Sequence, residues 1–404
     1  MSEVNNIPEG WVETTLGDVV ERITKGTTPK IFSSNSEDVN YVKSDALNYG
    51  GILDNSKFVK ITKEINEELK RSQLKTNDIL ISMAGEYLGK TGLVKEEHLP
   101  ANTNQAVAIV TVNKSLVNHL FIWYKLRDLS TVKYFNSIPS QSAQPNINFQ
   151  EIRSLSINCP TIPEQKSIAA ILTSFDDKIE LLQAQNKTLE ETAQTIFKEW
   201  FGKYQIGDEL PEGWRVGKLS EIAEFLNGLA LQKYPAISGQ DSLPVIKIRE
   251  LKQGITSNTD RANKELDSKY IVENGDVLFS WSGSLEVVIW QYGQGALNQH
   301  LFKVTSNKYP KWFYYYWTLE HLTEFRGIAS DKATTMGHIN RNHLDMAKVL
   351  IPDKNDLEKL NGLFYPILEK LETNYSQIQS LTQTRDELLP KLMSGEIRVN
   401  EFNG

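Results

Sequence analysis

The sequence predicts an α/β protein: two similar mixed α/β domains joined by two long helices forming an antiparallel coiled coil, pseudo-two-fold symmetric. Three observations predict it. The chain repeats itself once at long range, with "PEGW" at Pro8–Trp11 and again at Pro211–Trp214. Each copy mixes short strand-like apolar runs with helical stretches rich in aromatics. Each copy then closes on a long segment whose apolar residues recur in alternating steps of four and three. The 404 residues are enough for two or three domains. The expected limits are 1–160 for the first domain, 161–203 for the first long helix, 204–352 for the second domain and 353–404 for the second helix and tail.

The repeat continues inside the domains. Each "PEGW" runs into a short apolar stretch, "TTLGDVVERI" and "GKLSEIAEFL". "TNDILISMAG" (76–85) matches "ENGDVLFSWSG" (273–283), and "NTNQAVAIV" (102–110) matches "ALNQHLFKV" (296–304). "INFQEIRSLSINCP" (147–160) matches "INRNHLDMAKVLIP" (339–352). The period shortens from 203 residues at the first motif to 192 at the last, so the second copy has lost residues internally. A period this long with two copies excludes a solenoid. The runs "NDILIS", "KTGLV", "AVAIVTV", "GDVLFSW" and "EVVIW" read as strands bounded by Gly, Asn and Asp. "LVNHLFIWYKLRDL" and "KWFYYYWTLEHLTEF" read as helices whose aromatics pack the core.

Composition bounds the function. Hydrophobic residues make up 40% and charged residues 24%, ordinary for a soluble chain. No stretch approaches the roughly 18 apolar residues of a membrane span, and "MSEVNNIPEGW" lacks the features of a signal peptide. The single cysteine, Cys159, excludes a disulfide framework and a cysteine-based zinc site and fits a reducing cytoplasm. The net charge of −7 argues against a protein that simply coats nucleic acid, and predicts weak DNA affinity in isolation because few counterions would be released. The six histidines, His98, His119, His300, His321, His338 and His343, show neither metal spacing nor carboxylate pairing, and surface or loop roles are expected.

"AGEYLGKTG" (84–92) has the spacing of a relaxed phosphate-binding loop. Such a loop works only between a strand and a helix whose N-terminus faces the phosphates. Here a strand precedes it, but "TGLV", Pro100 and another strand follow, so a turn between two strands is expected. Gly85, Gly89 and Lys90 would still suit the placing of a backbone and a cation against some other phosphate.

The first helical seam runs Ile168, Leu172, Phe175, Ile179, Leu182, Asn186, Leu189, Ala193, Ile196, Trp200. The second runs Leu360, Phe364, Ile367, Leu371, Asn374, Ile378, Leu381, Arg385, Leu388, Leu392, with Pro366 expected to kink it locally. A buried asparagine lowers stability and fixes register, because it needs a polar partner. Parallel helices at the repeat offset set Asn186 against Ile378; antiparallel helices with paired positions summing to 560 set Asn186 against Asn374. The antiparallel register is therefore predicted, with Arg385 opposite Phe175 and its guanidinium reaching water. The 32 steps from Ile168 to Trp200 span roughly 48 Å at ~1.5 Å each, about one and a half turns of B-form DNA.

With these motifs in order, the whole chain resembles the specificity subunit of type I restriction-modification systems. The residues that carry the resemblance are the two "PEGW" entries, "KGTTPK" (25–30), "NDILIS" (77–82), "TNQ" (103–105) with "LNQ" (297–299), "QPNIN" (144–148), "CPTIPEQKSIAAIL" (159–172) and "LLPKLMSGEIRV" (388–399). The second copy departs from the pattern, with "FLNGLALQKY" where the first has "ITKGTTPK" and "IPDKNDLEKL" for "IPEQKSIAAI". The resemblance implies two target-recognition domains, each reading one half of an asymmetric bipartite sequence in double-stranded DNA. It implies helices that set the gap and dock two methyltransferase subunits, and a motor-nuclease subunit in the same complex. It also implies a chain that catalyses nothing, with S-adenosylmethionine, ATP and Mg2+ in its partners. No "NPPF" or "DPPY" type motif for a flipped adenine is present.

Arg and Lys suit guanine, Asn and Gln suit adenine, and Lys, Ser, Thr and backbone amides hold phosphates. The expected DNA-binding residues are thus, in the first domain, Lys25, Thr27, Thr28, Lys30, Lys43, Tyr87, Lys90, Asn104, Gln105, Gln141, Ser142, Gln144 and Asn146. In the second they are Lys233, Tyr234, Lys247, Arg249, Trp281, Ser282, Gln291, Tyr292, Lys332, Thr334, Thr335, His338 and Arg341. Asn104 and Asn298 equally suit local caps. Two other readings stand beside this one: a nucleotide-hydrolysing enzyme built on 84–91, and a scaffold that binds only protein through its coiled coil.

Overall fold

The structure, a computed structural model, describes residues 7–85, 88–138, 145–256, 258–330 and 337–399. It divides into two compact units, one of residues 1–178 with 382–404 and one of residues 179–381. The division falls inside both long helices rather than at their ends. The physical reason is that each helix end is buried in the core of a unit instead of standing apart as a spacer.

Among the described residues the first unit holds nine strands: β1 (Val12–Thr15), β2 (Val20–Lys25), β3 (Val39–Val42), β4 (Val59–Ile61), β5 (Ile79–Ser82), β6 (Thr91–Leu93), β7 (Ala101–Thr103), β8 (Val107–Val112) and β9 (Ser156–Cys159). Strands β2-β8-β5-β6 form an antiparallel sheet, β4-β3-β7 a second sheet with β3 and β7 parallel, and β1 pairs with β9. Strand β5 is buried on both faces, which is why it reads as a continuous apolar run. Ile79 and Ile81 pack with Phe121, Ile122 and Trp123 of the helix His119–Arg127, while Leu80 packs on the opposite face with Val42 and Leu53.

The second unit repeats this plan: β10 (Arg215–Lys218), β11 (Glu224–Asn227), β12 (Ser242–Ile246), β13 (Arg261–Asn263), β14 (Ile271–Val272), β15 (Val277–Ser280), β16 (Val287–Ile289), β17 (Gly295–Leu297), β18 (Leu301–Thr305) and β19 (Lys348–Ile351). The sheets are β11-β18-β15-β16, β13-β12-β17-β14 and β10-β19. Val277 and Phe279 face the aromatic helix Lys311–Glu320 and Leu278 faces the other way, the alternation seen in β5. The aromatics of "KWFYYYW" are core: Trp312 stacks on Phe364 at 4.2 Å and 6°.

The repeated "PEGW" sets each unit against a helix terminus. Trp11 is buried beneath the Arg398 guanidinium, which also pairs with Glu164 at 2.8 Å. Trp214 donates from Nε1 to Asp356 at 2.9 Å, in the first turn of the second long helix.

The long helices span Ile162–Phe201 and Lys354–Ser394, and the second runs unbroken through Pro366. Asn374 Nδ2 donates to Asn186 Oδ1 at 2.8 Å and Arg385 to Asp176 at 2.7 Å, so later residues of one helix meet earlier residues of the other and the two run antiparallel; Tyr375 also donates to Glu190 at 3.0 Å. The amide pair is only half satisfied, since Asn186 Nδ2 and Asn374 Oδ1 are buried without a partner. Near the helix ends the buried stripe leaves the heptad seam. Phe197 and Phe201, not Ile196 and Trp200, are buried, as are Leu368 and Leu389 in place of Ile367 and Leu388. A helix packing into a domain keeps a 3.6-residue period, and the 3.5-residue seam drifts off that face.

Arg385 does not reach water. In the first unit it is buried and donates to Asp176 at 2.7 Å, and Asp176 also receives Arg127 at 2.5 Å and the Tyr124 hydroxyl at 2.8 Å. Asp176 follows Phe175 in sequence, and its charge draws Arg385 inward. Burial pushes the Asp176 carboxyl upward, but the hydrogen bond and charge of Arg127 and the charge of Arg385 outweigh it and hold the group below its ordinary value. His98 is likewise buried, against the surface role expected; its Nδ1 accepts the Lys95 N–H at 3.0 Å.

Asn374→Leu alone should destabilise the chain by about 1–3 kcal/mol, because it strands Asn186; replacing both asparagines by Leu should restore or exceed wild-type stability, as read by chemical denaturation. Asp176→Asn should destabilise by roughly 3–5 kcal/mol, since the buried Arg127 loses its counter-charge and Arg385 keeps only its pairing with the exposed Asp386. A carboxyl lowered on folding stabilises above its unfolded pKa of about 3.9 and loses that contribution as pH falls. The variant should therefore show a flatter loss of stability below about pH 4 than the wild type.

Candidate nucleic-acid interface

The phosphate-loop sequence forms a hairpin connection. Gly89 N donates to Ser82 O at 2.9 Å and Ser82 N to Lys90 O at 2.8 Å, and β6 pairs back on β5 from Thr91. Gly85 and Gly89 sit at φ +75° and +73°. Lys90 lies 5.2 Å from the Tyr49 ring and is followed by strand β6, so the described residues after it do not begin a helix that could face a phosphate.

In the first unit one end of the β2-β8-β5-β6 sheet gathers the polar loops. Strand β2 ends there at Lys25, β5 at Ser82 and β3 just before Lys43, while β8 and β6 begin there. A bridge between Ala84 and Asn146 adds the segment before Ile147. Lys25, Thr27, Thr28, Lys30, Gln105 and Asn146 lie open to solvent in full or in part, as do Lys43, Lys90 and Asn104. Tyr41 Oη donates to Thr27 O at 2.9 Å; burial pushes this phenol up to about 12, so it remains a donor and fixes the loop. Asn104 Oδ1 accepts the Ala106 N–H at 3.1 Å, so this side chain shapes its own turn.

The second unit builds the same end. Strand β11 runs out at Asn227, β15 at Ser280 and β12 at Ile246, and Ser282 bridges to His338. Trp281 Nε1 donates to Asn227 Oδ1 at 2.8 Å, and the Trp281 ring lies 5.7 Å from His300 and 6.4 Å from His338. Asn298 Oδ1 accepts the His300 N–H at 3.2 Å, repeating the turn of Asn104. Lys233, Tyr234, His338 and Arg341 are exposed; Lys247 is paired with Asp260, and Arg249 with the buried Glu250 at 2.8 Å.

Not every expected residue joins this cluster. Gln291 and Tyr292 follow β16 at the opposite end of the sheet; Gln291 is buried and its carbonyl accepts from Gln379. They lie there because β16 turns back antiparallel to β15. Ser282 is 3% exposed and serves the cluster from beneath. Tyr87, Gln141, Ser142, Gln144, Lys332, Thr334 and Thr335 lie outside the described residues. Asn227, Gln299 and His300 belong to the cluster and are not among the expected residues. The match of "LNQ" to "TNQ" is the signal that marks Gln299.

Ser282 Oγ lies 2.9 Å from His300 Nδ1, the first half of a nucleophile–base pair. The position of an orienting carboxylate is taken by Gln299, whose Nε2 lies 3.2 Å from His300 Nε2. This arrangement therefore orders donors and acceptors at a surface rather than activating the hydroxyl.

The family described as "Type I restriction modification DNA specificity domain" matches residues 8–191 and again 211–388. The "Type I restriction enzyme MjaIX specificity subunit" of Methanocaldococcus jannaschii is 25% identical, covering 99% of this chain and 96% of that one. The "Type I restriction enzyme HindI specificity subunit" of Haemophilus influenzae is 23% identical, covering 96% and 99%. The crystal structure of the type I restriction-modification S subunit from M. genitalium shares the fold with a TM-score of 0.56, at 16% identity over 97% of this chain and 98% of that one.

Each loop cluster packs a glycine directly against the backbone of the facing loop. A Cβ at Gly26 would stand 1.7 Å from Thr103 O, and one at Gly228 2.3 Å from Asn298 O. Gly26→Ala should destabilise its unit by roughly 3 kcal/mol, at the upper end of overpacking losses because a backbone atom must move. Gly362→Ala, where a Cβ meets nothing within 4 Å, is the control in the same denaturation series.

Proposed function

Because this chain belongs to the type I restriction modification DNA specificity family, we propose that it is the DNA-reading subunit of a type I restriction-modification complex, each domain reading one half of a bipartite target. The observation that carries this is the recurrence, in both units, of one sheet end that collects cations, amides and aromatic rings on converging loops. Lysines there neutralise phosphates, and the amides and guanidiniums address base edges. The long helices set the gap between the halves. A chain of net charge −7 releases few counterions alone, so firm binding needs partners that surround the duplex with positive charge. Those partners are two methyltransferase subunits carrying S-adenosylmethionine, and through them a motor-nuclease using ATP and Mg2+; this chain supplies address rather than chemistry.

Exchanging residues 1–160 for the corresponding part of another such subunit should replace one half of the methylated sequence, read by methylome sequencing, and leave the other half and the gap unchanged. A product in which both halves change together would contradict the proposal. Lys25→Ala with Lys30→Ala should weaken binding evenly across sequences and make the salt dependence shallower, by a slope of about 0.9 per phosphate that is no longer neutralised.

A further inference from the structure

Each unit clamps one glutamine at the same point of its sheet end, but through opposite ends of the amide. Lys25 pairs with Ala108 and Asn227 with Phe302, so the glycines that follow, Gly26 and Gly228, are equivalent. Two residues further on, the first unit has Thr28 and the second Ala230. On the facing loop Gln105 corresponds to Gln299, and Ala106 to His300.

Gln105 Oε1 accepts from the Thr28 backbone N–H at 3.3 Å and from Thr28 Oγ1 at 2.8 Å. A backbone N–H only donates, so the oxygen must face Thr28 and its lone pairs are used. The amide NH2 of this exposed side chain has no part in the clamp. In the second unit Ala230 has no hydroxyl to offer. Gln299 is held instead by its nitrogen, 3.2 Å from His300 Nε2, while His300 Nδ1 lies 2.9 Å from Ser282 Oγ. An amide nitrogen only donates, so its approach requires His300 Nε2 to accept, and the imidazole proton then belongs on Nδ1, towards Ser282. The Gln299 carbonyl and its second hydrogen then remain for a ligand.

We propose that Gln105 and Gln299 are base readers of opposite hydrogen-bond polarity, with Thr28 and the His300–Ser282 pair as positioning residues. The inference rests on the DNA-reading function above. Gln105 offers donors alone and takes a base edge bearing acceptors, guanine O6 and N7 or thymine O4. Gln299 offers an acceptor beside a donor, the edge that matches adenine N6 and N7.

The test uses the chain assembled with its methyltransferase subunits, in competition binding against target duplexes changed one base at a time. Gln105→Glu replaces the outward donors by an acceptor and should reduce discrimination at one position of the first half-site by about tenfold or more. Gln299→Glu keeps an outward oxygen and should still favour a base with an exocyclic amino group at its position. Ala230→Thr combined with His300→Ala rebuilds the first unit's clamp in the second and should turn the preference there from adenine towards guanine or thymine. If the wild-type complex prefers its target but none of the three changes its preference, or both glutamate variants act alike, this inference is overturned. A wild-type complex indifferent to both half-sites overturns the DNA-reading function itself. Unchanged thermal melting of each variant separates impaired reading from impaired folding.

Discussion

A single hydrogen bond of 2.8 Å between Asn374 and Asn186 decides which residues of the two long helices face one another. Apolar layers tolerate sliding by a heptad, because one leucine replaces another with little effect. An amide buried opposite Ile378 or Leu371 would be stranded, at about 1–3 kcal/mol. The pair is not stabilising in itself, since half of its polar atoms stay unsatisfied. Its effect is to make every other register worse. Once it is set, Tyr375 meets Glu190 and the helix ends present Phe197, Phe201, Phe364 and Leu368 to one core. In the other unit Asp176 meets Arg385, one position from the register the asparagines define.

The two units share a scaffold and differ in its loops. The two-stranded pair at the base, the antiparallel four-stranded sheet and the aromatic helix recur in the same order, beside a second sheet of three strands in the first unit and four in the second. So do the close glycine and the asparagine that closes its own turn. Divergence begins where backbone geometry no longer constrains the side chain: Thr28 against Ala230, Ala106 against His300, Lys25 against Asn227. Charge diverges as well. In the first unit Lys25 and Lys30 are open to solvent; in the second Lys233 and Arg341 are, while Lys247 and Arg249 are bound to carboxylates.

Much of this is legible in the sequence, and the boundary is physical. Periodicity reports burial, so the strands "NDILIS" and "GDVLFSW" and the two heptad seams are readable. A lone asparagine in an apolar seam has few partners, so Asn186 and Asn374 identify each other. What a local pattern does not report is the environment contributed by distant residues. Arg385 is expected at water because nothing near it in sequence discloses Arg127 and Asp176, which come from other segments. Gln291 and Tyr292 look like polar loop residues, which they are, but at the end of the sheet away from the cluster. His300 directly follows Gln299 in sequence, but only the pairing of β18 with β15 brings it to Ser282.

Strand β5 and its counterpart β15 have both faces committed to apolar neighbours along nearly their whole length. Neither has anything to offer a ligand, since even the last residues, Ser82 and Ser280, are buried, and the exposed groups begin in the loops that follow. Recognition and folding thus occupy separate stretches of the same polypeptide, divided at Ser82 and Ser280. Such a chassis lets the surface drift towards new sequences while its interior stays fixed, so a cell could acquire new addresses by loop substitution with no need to reinvent the protein that bears them.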